Sequence, residues 1–349
     1  MFKKTLVAAS LATAAMGVSA YQIGENNDFN VEVYGVAAIS VVNYNTTNSN
    51  DVDSTGYNVE NESRIGFRAG KPMTDSIEVF MQVESGYVGH LSEGGNDENE
   101  AVAGGQGTLG FRDTFVGLKG DWGKVRVGRV LTPMYELVDW PYANPGLGAS
   151  WDWGGDVAAI YDRHSESIRY DSPAFGGFTF AAATGRGDSS VKDSNFYGAN
   201  AKYTFNTVTL MGAVETSENF KGAVGTDTLG YLVGFEAGLP GGFGLAGAYK
   251  VAESETAGAK HTQGSYSIIA QYWNGPLGVK VGYTANLESE LESVKQDDAD
   301  SIASIQVMGV IEGFVPYVRL AARDTYNGKN SGDTGNPDIV TRVGLEYGF

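Results

Sequence analysis

The chain has 349 residues, no cysteine, 49 glycines, 19 tyrosines, 16 phenylalanines and a formal charge of −18. The lack of cysteine excludes a disulfide, a thiolate metal site and a cysteine nucleophile, and the acidity disfavours nucleic acid and other anionic partners. A hydrophobic fraction of 42% with a mean hydropathy of −0.19 is too polar for a helical membrane protein, while the glycines and aromatics favour turns and strands over helices.

Residues 1–20 open with Lys3 and Lys4, run apolar from Leu6 and end in Val18, Ser19 and Ala20. This is the layout of a secretory leader with a small-residue cleavage site, so residues 1–20 are expected to be removed and the mature domain to span 21–349. Loss of the two lysines makes the mature chain more acidic still. No later stretch approaches the ~20 continuous apolar residues of a spanning helix, so any membrane crossing has to be made by strands. The polar start, 21–28, is expected to extend the first strand rather than hang into an interior.

Period-two alternation then recurs along the chain. Ile65, Phe67 and Ala69 alternate with Arg64, Gly66 and Arg68, and Ile77, Val79, Met81 and Val83 alternate with Glu78, Phe80, Gln82 and Glu84. Tyr197, Ala199, Ala201, Tyr203 and Phe205 share a face, as do Leu229, Tyr231, Val233, Phe235 and Ala237. Leu277, Val279, Val281 and Tyr283 stand opposite Gly278, Lys280, Gly282 and Thr284. The chain holds about sixteen such segments, an even number within the range of bacterial membrane barrels. Short turns, such as 120–123, 173–177, 239–242, 274–276 and 312–313, alternate with long polar segments near 45–59, 89–108, 131–165, 186–194, 217–226, 252–262, 286–299 and 327–337. An up-and-down barrel sorts its connections this way because one rim faces the periplasm and the other the outside. Secreted sandwiches and jelly rolls share the alternation but have no reason for the sorting.

The last strand carries the same message. Ile339, Val343, Leu345, Tyr347 and Phe349 fall on one face with Thr341, and Arg342, Gly344, Glu346 and Gly348 on the other. Free termini fray, whereas a barrel abolishes its edges by pairing its last strand with its first. Leu345, Tyr347 and Phe349 therefore mark the closing strand of an all-β, antiparallel transmembrane β-barrel.

The longest connection, 131–165, is expected to carry the function. It holds Trp140, Trp151 and Trp153, three of the chain's five tryptophans; the other two, Trp122 and Trp273, sit at strand ends where an interfacial girdle facing lipid is expected. An indole face suits the C–H face of a pyranose ring and its N–H remains a donor, while carboxylates accept charge-assisted bonds from hydroxyl or acetamido groups. Trp153 with Asp152, and Trp140 with Asp139, have that composition, and Trp151 belongs to the same set. The alternative for each tryptophan is to pack the loop against the barrel wall. Parity turns Arg64, Arg68, Arg112, Arg126 and Glu84 toward the lumen, with Ile65, Phe67, Phe115 and Val127 toward lipid. The alternative for each arginine is an ion pair that stiffens the wall.

Catalysis has no local signature. His90, His164 and His261 are widely spaced, which writes neither a zinc site nor a histidine-based triad, so no enzyme activity, metal or cofactor is expected. Acids between 93 and 100, and Asp297, Asp298 and Asp300, give the outer mouth a negative potential that favours cations and neutral solutes over anions.

Phe111-Arg112-Asp113-Thr114-Phe115-Val116-Gly117-Leu118-Lys119-Gly120-Asp121-Trp122-Gly123, followed by Val125-Arg126-Val127-Gly128-Arg129, resembles the strand, turn and strand before the third loop of Gram-negative general porins. Leu345-Glu346-Tyr347-Gly348-Phe349 looks like their closing strand. The resemblance covers the mature chain and implies a sixteen-stranded outer-membrane barrel with the third loop folded into the lumen, assembling as a homotrimer among outer-membrane lipid and lipopolysaccharide. It also places Arg112 in a row of arginines facing the acidic loop. Within that family, Val138-Asp139-Trp140-Pro141, Trp151-Asp152-Trp153-Gly154-Gly155-Asp156-Val157 and Tyr161-Asp162-Arg163-His164 look most like the chitoporins of marine vibrios, which implies uptake of chitooligosaccharides by passive diffusion. A non-selective, weakly cation-preferring porin is the alternative, and a surface adhesin or phage receptor with a closed lumen is the third reading.

Overall fold

The computed structural model describes residues 21–22, 30–43, 46–47, 53–54, 56–86, 109–143, 150–151, 157, 162–324 and 338–349. The leader, Asp152, Trp153 and the acids between 93 and 100 lie outside the described residues.

Sixteen antiparallel strands form one closed wall. They are β1 (Asn30–Asn43), β2 in two pieces (Tyr57–Asn61 and Arg64–Thr74), β3 (Ile77–Gly86), β4 (Thr114–Gly120), β5 (Gly123–Leu131), β6 (Arg163–Asp171), β7 (Phe178–Arg186) and β8 (Asn195–Phe205). The second half comprises β9 (Val208–Glu218), β10 (Thr226–Gly238), β11 (Phe243–Thr256), β12 (Ala259–Asn274), β13 (Leu277–Asn286), β14 (Asp300–Gly309), β15 (Phe314–Asp324) and β16 (Asp338–Gly348). Each strand pairs with its neighbours in sequence, and β16 returns to β1 in register from Val36↔Gly348 to Asn43↔Thr341. Closure leaves no row of unpaired backbone groups in hydrocarbon, where each such group costs several kcal/mol. Tyr21 and Gln22 pair with Val33 and Glu32, so they run beside β1, on the edge that β16 uses beyond Val36, rather than in line with it.

The alternation sorts cleanly between the two faces of the wall. Ile39, Phe67, Met81, Val127, Tyr231, Val281, Val343, Leu345, Tyr347 and Phe349 are exposed on the outside, as a lipid-facing band requires. Their neighbours Ser40, Glu84, Lys280, Arg342 and Glu346 are buried toward the lumen. Trp122 takes the expected girdle position, exposed and stacked on Tyr170 at 6.4 Å.

Two aromatic residues differ from expectation. Phe115 points inward, because Val116 and Leu118 are the exposed residues of β4, and it meets Phe80 edge-on at 5.6 Å. Trp273 shares the parity of Ile269 and Gln271 and packs inside against Met308, Val315 and Tyr317, although it sits at a strand end. Strand-end position alone does not fix the face; the exposed Tyr272 beside it does.

Candidate functional site

The connection after β5 turns into the barrel instead of spreading over its rim. It begins with helix α1 (Pro133–Asp139), which is started by Thr132, whose Oγ1 accepts from the Tyr135 N–H at 3.3 Å, and by proline in the first turn, both favourable at a helix start. The helix ends at Trp140, whose N–H donates to the Glu136 carbonyl. Met134, Leu137, Val138, Tyr142 and Trp151 are fully buried against Leu232, Ala246 and Ala248 of the inner wall. Each large apolar side chain buried this way contributes about 1.5–3 kcal/mol.

Small wall residues make the room. A Cβ on Gly234 would stand 2.3 Å from Tyr142 Oη, and one on Gly230 would stand 3.1 Å from Met134 Sδ. Polar pins complete the seat: Asn200 Nδ2 donates to the Pro133 carbonyl at 2.8 Å, Ser267 Oγ to the Tyr142 carbonyl at 2.6 Å, and Trp151 Nε1 to the Val138 carbonyl at 2.9 Å. Strand β10 runs from a long-loop end toward the short turn at 239–242. Contacts at Gly230, Gly234 and Glu236 therefore place Met134, Tyr142 and Trp140 at increasing depth along the lumen.

An ion chain fixes the helix to the wall. Glu136 is held between Arg169 of β6 and Lys202 of β8. Arg169 also donates to the Leu131 carbonyl at 2.8 Å and pairs with Asp171 at 2.7 Å, and Asp171 pairs with Arg126 at 2.7 Å. Burial works against the charged form of Glu136, but the Arg169 and Lys202 cations outweigh it and hold the carboxyl down to about 2. The helix is thus clamped by a carboxylate that stays ionised across the whole physiological range.

The facing wall carries its own charges. In a ring of sixteen strands β2 stands eight strands from β10, so Arg64 and Arg68 lie across the lumen from the loop's seat. Arg68 stacks on Tyr34 at 3.7 Å and donates to Gln82 Oε1 at 3.1 Å. Glu84 accepts from Tyr34 Oη at 2.8 Å and from Arg112 Nε at 2.6 Å. Arg342 pairs with Glu60 at 2.5 Å, and Arg319 donates twice to Gln306 Oε1. Opposed charge of this kind orders water and makes passage of apolar solutes costly.

The predicted residues fall into four groups. Arg64, Arg68, Arg126, Glu84 and Arg112 all belong to the inner wall, Arg112 and Arg126 in ion pairs. Asp139 is exposed at the end of α1, and Trp140 is half-buried with Lys280 Nζ 4.8 Å from its ring centre. Trp151 is fully buried, its ring edge-on to Tyr142 at 6.1 Å and Lys250 Nζ 5.1 Å from its centre; its surface is given to seating the loop rather than to the open pore. Asp152 and Trp153 lie outside the described residues.

Sequence reasoning passed over Glu136, Arg169 and Lys202, and also Lys280, although parity had already placed Lys280 opposite Val279 and Val281. Lys280 lines a narrow recess with Trp140, Pro141, Glu236, Ala246 and Gln271. This is where the deeper of the loop's two described tryptophans meets polar wall residues. Among the described residues no cluster of histidine, aspartate and glutamate is arranged to hold a metal ion.

A closed barrel that spans the membrane with strands, and a loop seated inside it, define a channel. Residues 5–309 match the family model described as Gram-negative porin, and the chain belongs to that family; it is an outer-membrane porin. The chain is 56% identical to the chitoporin of Vibrio furnissii, over 100% of this chain and 99% of that protein. It is 25% identical to a monosaccharide porin of a Halomonas species over 63% of this chain and 61% of that one. Among solved structures, the loop L8 deletion mutant of OmpT from Vibrio cholerae superposes with a TM-score of 0.70 at 16% identity, covering 93% of this chain and all of that one. The anion-selective porin of Comamonas acidovorans gives 0.69 at 17%, covering 92% and 100%; at such identities the likeness is one of fold.

Proposed function

We propose that this porin takes up chitooligosaccharides by diffusion down their gradient, as a homotrimer, and has no enzymatic activity. The observation that carries the reading is Trp140, placed deep in the lumen by the seated loop, beside Glu236, Gln271 and Lys280. An aromatic face flanked by a carboxylate, an amide and an ammonium suits a neutral sugar bearing hydroxyl and acetamido groups. Identity of 56% across the full length of a chitoporin supports the same substrate class. A structure of Vibrio cholerae OmpT described as a trimer supports the assembly. Residues 1–20 serve as the leader, and Trp153 with Asp152 and Asp139 adds to the loop's sugar platform.

The inner wall bears on the choice between a sugar pore and a weakly cation-preferring one. Although the chain is acidic, Arg68, Arg319, Lys250 and Lys280 stand on the inner wall together with Glu84, Glu236 and Glu346, and this mixture of signs supports neutral solutes over a simple cation preference.

Single-channel recording tests the reading. Chitohexaose should interrupt the open current in discrete events at micromolar sugar, and Trp153→Ala and Trp140→Ala should each shorten them. An uninterrupted current leaves a general diffusion pore, and no conductance leaves an adhesin or phage receptor.

A further inference from the structure

Four aromatic rings on the inner wall lie across glycines on the strand next door. Tyr34, Phe80, Trp273 and Tyr317 are the direct cross-strand partners of Gly66, Gly117, Gly278 and Gly344. A Cβ on those glycines would stand 2.4, 2.7, 2.6 and 2.3 Å from the nearest ring atom. Such contact lays each ring flat on the wall, one face against backbone and the other toward the lumen.

Three of these plates carry a cation: Arg68 is 3.7 Å from the Tyr34 ring centre, Lys119 is 5.5 Å from that of Phe80, and Arg319 is 4.9 Å from that of Tyr317. Trp273 carries none among the described residues. Its Nε1 leans toward Gln271 Oε1 at 3.4 Å, and Gln271 also lines the recess below Trp140. Gln271 therefore stands between two indoles, one on the loop and one on the wall. Trp273 lies next to Asn274, which pairs with Leu277 to close a short turn, and short turns mark the periplasmic rim.

We propose that Trp273 extends the sugar path toward the periplasmic exit as a further carbohydrate subsite, joined to the Trp140 site through Gln271 and taking one N-acetylhexosamine unit of a β-linked oligomer. The proposal rests on the sugar reading above. The Trp273 face turned away from Gly278 receives the C–H face of the ring, and the Gln271 amide can both accept from a hydroxyl and donate to an acetamido carbonyl. A weak site beyond Trp140 eases release, since conduction requires several modest sites rather than one tight one.

The test is chitohexaose added to either face of oriented wild-type, Trp273→Ala and Trp273→Leu channels. Loss of one aromatic stack should lower the association rate from the periplasmic face about three- to tenfold, with the rate from the extracellular face and the salt conductance unchanged. Trp273→Leu keeps an apolar side chain against Met308, Val315 and Tyr317 but removes the ring, and should show the same loss at the same face, which keeps the test open if Trp273→Ala fails to assemble. Periplasmic rates equal to wild type in both variants overturn the exit subsite alone. A wild-type pore that the sugar blocks from neither face overturns the sugar reading and the subsite together.

Discussion

Gly35 and Phe349 exchange two backbone hydrogen bonds of 3.0 Å each, and the Phe349 ring fills the place where a Gly35 Cβ would stand, 2.6 Å from Cζ. The final residue of the chain is thus stitched into the first wall strand. The same Cβ would lie 2.7 Å from the Arg64 carbonyl, which is backbone and cannot swing aside. Gly35→Val should therefore block closure, and removal of Phe349 should weaken it by about 1–3 kcal/mol through two lost bonds. The heat-modifiable gel mobility of refolded protein checks both, with Gly35→Val remaining in the unfolded band.

Glu136 gives a pH prediction. Its carboxyl is held below the ordinary value of 4.5, at about 2, so the clamp on Arg169 and Lys202 is fully present above pH 4.5 and is lost as pH falls toward 2. Open-channel noise should stay flat from neutral pH to about 4.5 and rise below it. Glu136→Gln leaves Arg169 and Lys202 facing each other, and should be noisy at every pH. The loss should be on the order of 1–3 kcal/mol, less than for a fully buried pair because the Glu136 side chain keeps 33% of its surface exposed.

The glycines under the loop should differ in severity. Gly234→Val drives a branched side chain into Tyr142 and should lift the loop from the wall, raising single-channel conductance. Gly230→Ala meets only the flexible end of Met134 and should leave conductance near wild type. Equal effects from the two would contradict the seat described for Tyr142.

Glu84 neutralises Arg112 and accepts from Tyr34. Glu84→Ala removes one negative charge from the inner wall beside Arg112 and should shift the reversal potential in a salt gradient toward chloride. An unshifted potential would mean that this pair lies away from the ion path.

Much of the barrel was legible because its physics is local. Lipid on one side and water on the other impose a period of two, and Leu345, Tyr347 and Phe349 obey it to the last residue. The same parity turned Arg64, Arg68, Arg126 and Glu84 inward. It failed at Phe115, where an aromatic residue was assigned to lipid by type; Val116 and Leu118 already formed the apolar series there. Trp273 failed for the same reason, since indoles line lumens as well as girdles. The clamp of Glu136 was beyond reach, because Arg169 and Lys202 come from separate strands and meet it only when the loop turns inward. The tryptophans of one loop also divide by a distinction that composition does not carry: Trp151 is sealed against the wall, and Trp140 borders a recess.

The loop lies inside the conduit, and Trp140 is the deeper of its two described tryptophans. The chain has no cysteine, so Trp140→Cys provides a unique thiol. A charged thiol reagent applied to the open channel should lower the current in discrete steps as protomers react. Complete labelling of Cys-substituted protein, verified by mass, with no change in current would contradict the account.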